Sequence, residues 1–214
     1  MAKERVTSKQ FLNNVSNFIG SKAGGINHKL FLQEYGKIDP LPRGYMPTLN
    51  DPWCAIFVSS MWEYLGPNKW FPYECSCTRM IEKLKNEGFF AYKVNIHNSS
   101  ELNPGWLIFY DWERDDSPDH VGYIREVEGN TIITIEGNYK NQVQENRLAF
   151  NDKRIFGYGI LEYNTDTINE FEIAKKFVSE SIMLGDGSDT YWTDPPTREQ
   201  LAVILYRYKK YLGL

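Results

Sequence analysis

The sequence predicts an α+β fold in which helices pack on an antiparallel sheet. Up to about residue 87, apolar residues recur at helical spacing. From about residue 106 the period changes to alternating or continuous runs that are typical of strands. Helices followed by strands, without a regular βαβ alternation, favour an antiparallel sheet.

Four helices are predicted in the N-terminal part of the chain. They cover residues 8–19, 27–36, 53–65 and 76–87, and glycines at positions 20, 66 and 88 act as stop signals. Between the second and third helices, residues 37–52 contain four prolines. This segment is therefore predicted to be an irregular loop.

The rest of the chain is predicted to form strands and then a second unit. The strands cover residues 106–110, 121–127, 131–135 and 156–160, joined by turns rich in Gly, Asn and Asp. From about residue 165 the pattern is helical again, and the last helix starts at Thr197 in a capping box with Gln200. We assign residues 1–163 to one domain and residues 164–214 to a small helix–loop–helix unit.

Composition excludes several classes of protein. The chain has 214 residues, 24 Lys+Arg and 28 Asp+Glu, and no basic block, so we expect no nucleic-acid partner. No run is long enough to span a bilayer, and the N-terminus lacks the apolar segment of a secretory signal. We therefore expect synthesis in the cytoplasm.

The three cysteines do not form a disulfide framework, and a reducing environment suits a working thiol. Cys75 and Cys77 are interpreted as packing residues near a loop. Cys54 follows Pro52, which favours a helix start just after it. The first helical turn would stabilise a thiolate there. The alternative is that Cys54 only packs, since free cysteines are among the most buried residues.

A hairpin signal around Gly129 tests whether Cys54 has catalytic partners. A three-residue loop would set His120 opposite Asn138 and diagonal to Glu136, with all three side chains on one face of the sheet. A two-residue loop would send Glu136 to the other face. We therefore expect an odd loop or a compensating bulge.

These residues can hydrolyse an amide. Cys54 would be the nucleophile, His120 the base and acid, and Glu136 the carboxylate that orients the imidazole. Asn138 would assist orientation or polarise the carbonyl, and the backbone N–H of Cys54 would stabilise the oxyanion. Three aromatic residues are candidates for substrate contact: Trp53, Trp112 and Tyr139.

Five blocks of the sequence resemble those of a known family in the same order. They are Trp-Cys-Ala-x-Phe-Val-Ser, Pro-Gly-x-Leu-x-Phe-x-Asp-Trp, Asp-His-Val-Gly-Tyr-Ile, Gly-Asn-Thr-Ile-x-Thr-Ile-Glu-Gly-Asn and Arg-Ile-Phe-Gly-Tyr-Gly. The chain from about residue 8 to 163 is similar to a CHAP domain, the cysteine- and histidine-dependent amidohydrolase/peptidase.

The resemblance implies a papain-like fold that hydrolyses amide bonds in peptidoglycan, as an N-acetylmuramoyl-L-alanine amidase or a peptide endopeptidase. The active-site residues of the family match Cys54, His120, Glu136 and Asn138. Some members carry a calcium loop ahead of the cysteine. This sequence has no comparable Asp-rich run there, so we expect neither a metal nor a cofactor.

The C-terminal unit resembles one S-layer homology repeat, over residues 177–187 and 194–208. Such repeats usually occur in threes and attach proteins to secondary cell-wall polymers. The resemblance implies wall binding, with Arg198 as a candidate polymer contact, or assembly of a homo-oligomer through this unit. The alternative is that this single copy only packs against the enzyme.

Three functional hypotheses follow. The first is a cysteine peptidoglycan hydrolase of the phage or prophage endolysin type, made in the bacterial cytoplasm and acting on the wall after release at lysis. The second is a wall-binding or assembly module whose active site is silent. The third is a cytosolic cysteine hydrolase acting on small peptide or polyamine amides.

Overall fold

The computed structural model describes residues 6–164 of the chain. The predicted helix–loop–helix unit, with Arg198, lies outside the described residues apart from Asn164. Within the described part, no helix is long and apolar enough to cross a membrane.

Four α-helices lie close to their predicted positions. They are α1 (Ser8–Ser16), α2 (Ile26–Tyr35), α3 (Cys54–Leu65) and α4 (Cys77–Asn86). Helix α1 starts in a capping box between Thr7 and Gln10, and it ends earlier than expected, with Asn17 as its C-cap.

Six strands form one antiparallel sheet, so the predicted α+β class is confirmed. They are β1 (Phe90–Tyr92), β2 (Leu107–Tyr110), β3 (His120–Glu128), β4 (Thr131–Tyr139), β5 (Gln142–Ala149) and β6 (Ile155–Gly159), in the spatial order β1-β6-β2-β3-β4-β5.

The two strands that the sequence did not predict, β1 and β5, are the edges of this sheet. Strand β5 carries charged and amide side chains at most positions and pairs with β4 along almost its whole length. Salt bridges join it to β3, from Arg125 to Glu145 and from Arg147 to Glu128. Its polar sequence resembles a loop because an edge strand needs little apolar surface.

Helix α3 forms the centre of the main core and packs on the middle of the sheet. Nine of its residues, from Cys54 to Trp62, are buried, which matches the continuous apolar run of the sequence. The hydroxyl of Tyr123 on β3 donates a hydrogen bond of 2.6 Å to the carbonyl oxygen of Val58 on α3. A smaller cluster, which includes Ile108, Ile124 and Ile132, forms a second core.

The distance between α3 and β4 is set by a glycine. A Cβ atom at Gly137 would lie 2.4 Å from Cβ of Phe57. Only a residue without a side chain lets the helix approach this closely. This contact lies one residue from Glu136 and one helical turn from Cys54, so it fixes the spacing between two elements of the candidate site.

The turn between β3 and β4 differs from the expected one. Glu128 pairs with Thr131, which leaves only Gly129 and Asn130 in the loop. Of the two expected alternatives, an odd loop or a compensating bulge, the loop is therefore not the odd one. Gly129 adopts a φ of +56°, which suits glycine in a tight two-residue hairpin.

A bulge restores the register that the catalytic hypothesis requires. The pairing shifts between Ile124 and Glu126, and beyond this point Gly122 pairs with Glu136. The expected compensating bulge is confirmed. Because side chains alternate along strands, Glu136 now lies on the same face of the sheet as His120.

We predict that Gly137→Ala destabilises the domain. The added methyl group would overlap Phe57, and overpacking of this kind costs about 1–3 kcal/mol. Thermal and urea unfolding measure the change.

The matched control is Gly36→Ala. Gly36 has a φ of −65°, and an added Cβ would meet mainly the flexible side chain of Met46. We expect a much smaller change in stability for this variant. Equal destabilisation by the two substitutions would contradict the close helix–sheet contact at Gly137.

Candidate active site

Cys54 is the first residue of α3 and is 5% exposed. The first turn of a helix presents N–H groups that have no partner within the helix, and its dipole favours negative charge there. The backbone N–H of Ala55 points to the sulfur of Cys54 and helps to lower its pKa. The helix start predicted from Pro52 thus places the thiol where a thiolate is stabilised.

His120 is the first residue of β3, and it lies against both Cys54 and Glu136. Its Nε2 atom is 3.1 Å from Oε2 of Glu136, and both side chains are almost fully buried. The carbonyl oxygen of the preceding residue, Asp119, is 4.0 Å from the sulfur of Cys54. The candidate site therefore forms where the N-terminal end of α3 meets the N-terminal end of β3.

The carboxylate of Glu136 is held by two further donors. The hydroxyl groups of Tyr110 and Thr134 donate hydrogen bonds to its Oε1 atom, at 2.7 Å and 2.6 Å. Burial alone raises the pKa of Glu136, but the hydrogen bond and positive charge of His120 and the two hydroxyl groups lower it overall. Glu136 is therefore a buried carboxylate whose charge is satisfied on both oxygens.

The electrostatics favour a thiolate–imidazolium pair. Burial lowers the pKa of His120, but hydrogen bonds to Cys54 and Glu136 and the charges of these two groups raise it to about 9. A hydrogen bond from Cys77 lowers the pKa of Cys54, burial opposes this, and the hydrogen bond and charge of His120 lower it further. The pKa of Cys54 lies well below the ordinary thiol value as a result.

Cys77 contacts the candidate nucleophile directly. Its sulfur is 3.8 Å from the sulfur of Cys54, and it is the first residue of α4. Two thiols at two helix N-termini thus share one buried site. The sequence does not predict this contact, since Cys54 and Cys77 are 23 positions apart and the irregular connection between their helices has a path that cannot be read from a pattern.

Trp112 covers one face of the His120 ring. The two rings are stacked, with centroids 4.7 Å apart and an angle of 25° between their planes. The loop that carries Trp112 winds around Asp111, whose carboxylate accepts hydrogen bonds from three consecutive backbone N–H groups, those of residues 114–116. The backbone N–H of Trp112 also donates to the carboxylate of Asp119, at 2.8 Å. This loop therefore holds Trp112 in a defined position.

A surface pocket of about 330 Å³ lies beside this stack. It is lined by Trp112, Asn138, Tyr139, Lys140 and Arg154. Two of the three aromatic residues predicted to contact substrate meet here. The structure does not bring the third one to the pocket, because Trp53 is 2% exposed and packs against His28 and Phe31 in the core.

Asn138 lies at a bulge near the end of β4, with a φ of 60°. It lines the pocket next to Tyr139. The Nε2 atom of His120 is already engaged by Glu136, so the structure places Asn138 at the pocket rather than in the hydrogen bond that orients the imidazole.

Three residues of the site were missed at the level of sequence: Cys77, Tyr110 and Thr134. Two of them had a usable signal. Tyr110 pairs directly with His120 across β2 and β3, and Thr134 lies two residues before Glu136 on the same face of β4. A search for donors around Glu136 would have found both.

The described residues contain no group of three or more His, Cys, Asp or Glu side chains that could hold a metal ion.

Comparison with known protein families agrees with the fold. The model of the CHAP domain family matches residues 46–138, a segment that contains Cys54, His120, Glu136 and Asn138. The helices and the six-stranded antiparallel sheet are consistent with a papain-like CHAP fold. No match to the chain was found among curated proteins.

We predict that Glu136→Gln lowers the pKa of His120. The carboxylate stabilises the imidazolium, so its removal makes the ring lose its proton at a lower pH than about 9. Titration of the imidazole signals by NMR measures the midpoint. Glu128→Gln, which removes an exposed carboxylate from β3, is the control and should leave the midpoint unchanged. An unchanged midpoint in Glu136→Gln would show that this carboxylate does not hold the proton on the ring.

Proposed function

We propose that this protein is a cysteine-dependent hydrolase of amide bonds in bacterial peptidoglycan. The CHAP family match implies amidase or peptidase activity on peptidoglycan in general terms. The observation that carries the finer proposal is the arrangement of Cys54 at a helix N-terminus beside His120, which is in turn bonded to Glu136. This is the relation of nucleophile, base and orienting group that thiol hydrolases require.

In the acylation step, the thiolate of Cys54 attacks the carbonyl carbon of the amide. The backbone N–H of Cys54 at the helix start is the proposed donor to the oxyanion. Nε2 of His120 is engaged by Glu136, which leaves Nδ1 to face the reacting atoms. The imidazolium donates its proton to the leaving amine as the C–N bond breaks, and a thioester on Cys54 remains.

In the deacylation step, the neutral imidazole accepts a proton from water, which attacks the thioester. The acid product leaves, and the proton returns the site to its thiolate–imidazolium form. Glu136 remains ionised throughout, because its hydrogen bonds and the positive charge of His120 keep its pKa low. Its role is to fix the ring and stabilise the imidazolium.

The pocket beside His120 is the proposed binding site for the peptide part of the substrate. It combines two aromatic rings with two basic side chains, Lys140 and Arg154. Arg154 is already paired with Asp152, at 2.6 Å, whereas Lys140 lies 5.6 Å from the centre of the Tyr139 ring. Lys140 therefore offers a positive charge to the carboxylates that peptidoglycan peptides carry.

The proposal includes two activities that differ in the bond that is cleaved. They are an N-acetylmuramoyl-L-alanine amidase and a peptide endopeptidase. Mass spectrometry of products from purified peptidoglycan distinguishes them. A free amino group on L-alanine indicates the amidase, and a new peptide terminus within the stem or cross-bridge indicates the endopeptidase. Action as an endolysin, on the wall after release at phage lysis, also belongs to the proposal.

Assays with purified peptidoglycan also test the two other hypotheses from the sequence. A silent wall-binding module would bind purified walls without releasing fragments. A hydrolase of small peptide or polyamine amides would cleave those compounds and leave the walls intact. The fully bonded carboxylate of Glu136 and the lowered pKa of Cys54 support a working site over a silent one.

We predict that Cys54→Ala abolishes wall lysis. Loss of the nucleophile should lower kcat/KM by about 10⁴-fold or more, and His120→Ala by at least about 10²-fold. Turbidity loss of purified cell walls measures lysis. Circular dichroism and thermal unfolding serve as the check that each variant is folded. A folded Cys54→Ala variant with undiminished lysis would rule out the proposed mechanism.

We also predict that Lys140→Glu weakens substrate binding. Reversal of this charge should raise KM several-fold with little change in kcat, since Lys140 lies in the pocket and not among the groups that move protons. Lys29→Glu is the matched control, because it makes the same change in net charge at an exposed position on α2. A similar rise in KM for both variants would show only a general effect of net charge.

A further inference from the structure

The two sulfur atoms of Cys54 and Cys77 are 3.8 Å apart, and both thiols are free and buried. This is close to van der Waals contact, so no other group lies between the two sulfur atoms. The third cysteine is placed differently. Cys75 lies outside α4 and is only half-buried, and Arg43 donates a hydrogen bond of 2.7 Å to its sulfur.

The surroundings of the two thiols are unequal. Cys54 is hydrogen-bonded to both His120 and Cys77, whereas the sulfur of Cys77 contacts that of Cys54. The pKa of Cys77 is raised well above its ordinary value by this hydrogen bond and by burial. Cys54 is thus the reactive thiolate, the form required of the cysteine that attacks peroxide, and Cys77 is the thiol in contact with it, in the position of a resolving cysteine.

We propose that Cys54 and Cys77 form an oxidative modification site in which peroxide converts the pair to a reversible disulfide. The disulfide would block the nucleophile of the proposed hydrolase. The inference goes beyond that function, because the modification depends only on the two thiols and His120. Hydrolysis of peptidoglycan needs no second cysteine, so the proposed reaction leaves Cys77 unexplained.

The oxidation balances with peroxide as the only co-reactant. The thiolate of Cys54 attacks one peroxide oxygen, the O–O bond breaks, and the leaving hydroxide takes the proton of the His120 imidazolium to form water. Cys54 is then a sulfenic acid. The sulfur of Cys77 attacks the sulfur of Cys54, the S–O bond breaks, and hydroxide leaves with the thiol proton of Cys77 as a second water. The two sulfurs are oxidised and the peroxide is reduced to water.

Cys77 also determines what happens to an oxidised Cys54. A sulfenic acid that has a thiol in contact condenses to a disulfide, which dithiothreitol reduces. Without that thiol, further peroxide converts the sulfenic acid to sulfinic and sulfonic acids, which dithiothreitol does not reduce. The site therefore predicts protection of the nucleophile as well as its inactivation.

The experiment treats the full-length protein with hydrogen peroxide, blocks free thiols by alkylation, and maps the cysteines by mass spectrometry of non-reduced peptides. We expect a peptide that joins Cys54 to Cys77, with Cys75 alkylated. Dithiothreitol should remove the cross-link and restore most of the wall-lysing activity. Peroxide that oxidises Cys54 without producing this cross-linked peptide would overturn the proposal.

Two variants separate the role of Cys77 from that of a neighbouring cysteine. In Cys77→Ser, we expect peroxide to convert Cys54 to sulfinic acid. The activity of this variant, expressed relative to its own activity before treatment, should not recover with dithiothreitol. In Cys75→Ser, we expect the behaviour of the unmodified protein. Equal recovery of Cys77→Ser and the unmodified protein would contradict a resolving role for Cys77.

Formation of the cross-linked peptide is measured independently of wall lysis, so the two proposals can fail separately. If the protein lyses no cell wall but the Cys54–Cys77 peptide forms, the modification site stands and the hydrolase proposal fails. If the walls are lysed but the peptide does not form, the hydrolase stands and the modification site fails.

Discussion

The hydrogen bonds of the Glu136 carboxylate are the interactions on which the candidate site depends. An ionised carboxylate that is 2% exposed costs several kcal/mol in desolvation unless donors and a positive charge surround it. Tyr110 and Thr134 hold one of its oxygens and His120 the other. Because these donors come from three adjacent strands, the charge of Glu136 links the register of the sheet to the protonation state of the imidazole. A slip of β3 against β4 would therefore break the hydrogen bonds of Glu136 and remove its stabilisation of the imidazolium at the same time.

The N-termini of two helices supply the other half of the site. Helix α3 presents Cys54, helix α4 presents Cys77, and each helix contributes unpaired N–H groups and a favourable dipole at its first turn. The sheet and the helices thus perform separate tasks. The sheet fixes a buried carboxylate and imidazole, and the start of α3 helps to keep the sulfur of Cys54 negative. Gly137 joins the two parts by letting α3 approach β4 until Phe57 contacts the backbone.

The parts of the site that depend on local periodicity could be predicted from the sequence. Pro52 and the apolar run predicted that Cys54 begins a helix, and strand alternation predicted that His120 and Glu136 share a face. The sequence left two alternatives for the hairpin, an odd loop or a compensating bulge, because the bulge near Arg125 leaves no clear mark in the sequence. Cys77 and Trp53 could not be placed, because packing between distant elements decides whether a residue at a helix start faces the site or the core.

The stacking of Trp112 on His120 has a stereochemical consequence. One face of the imidazole is covered by the indole, and Nε2 is fixed by Glu136, so the ring can meet a substrate only through its remaining edge and face. An imidazole that cannot turn over exchanges its proton from one side only. The aromatic cover therefore gives the imidazole a front and a back, with a single direction of approach for any partner of its free nitrogen.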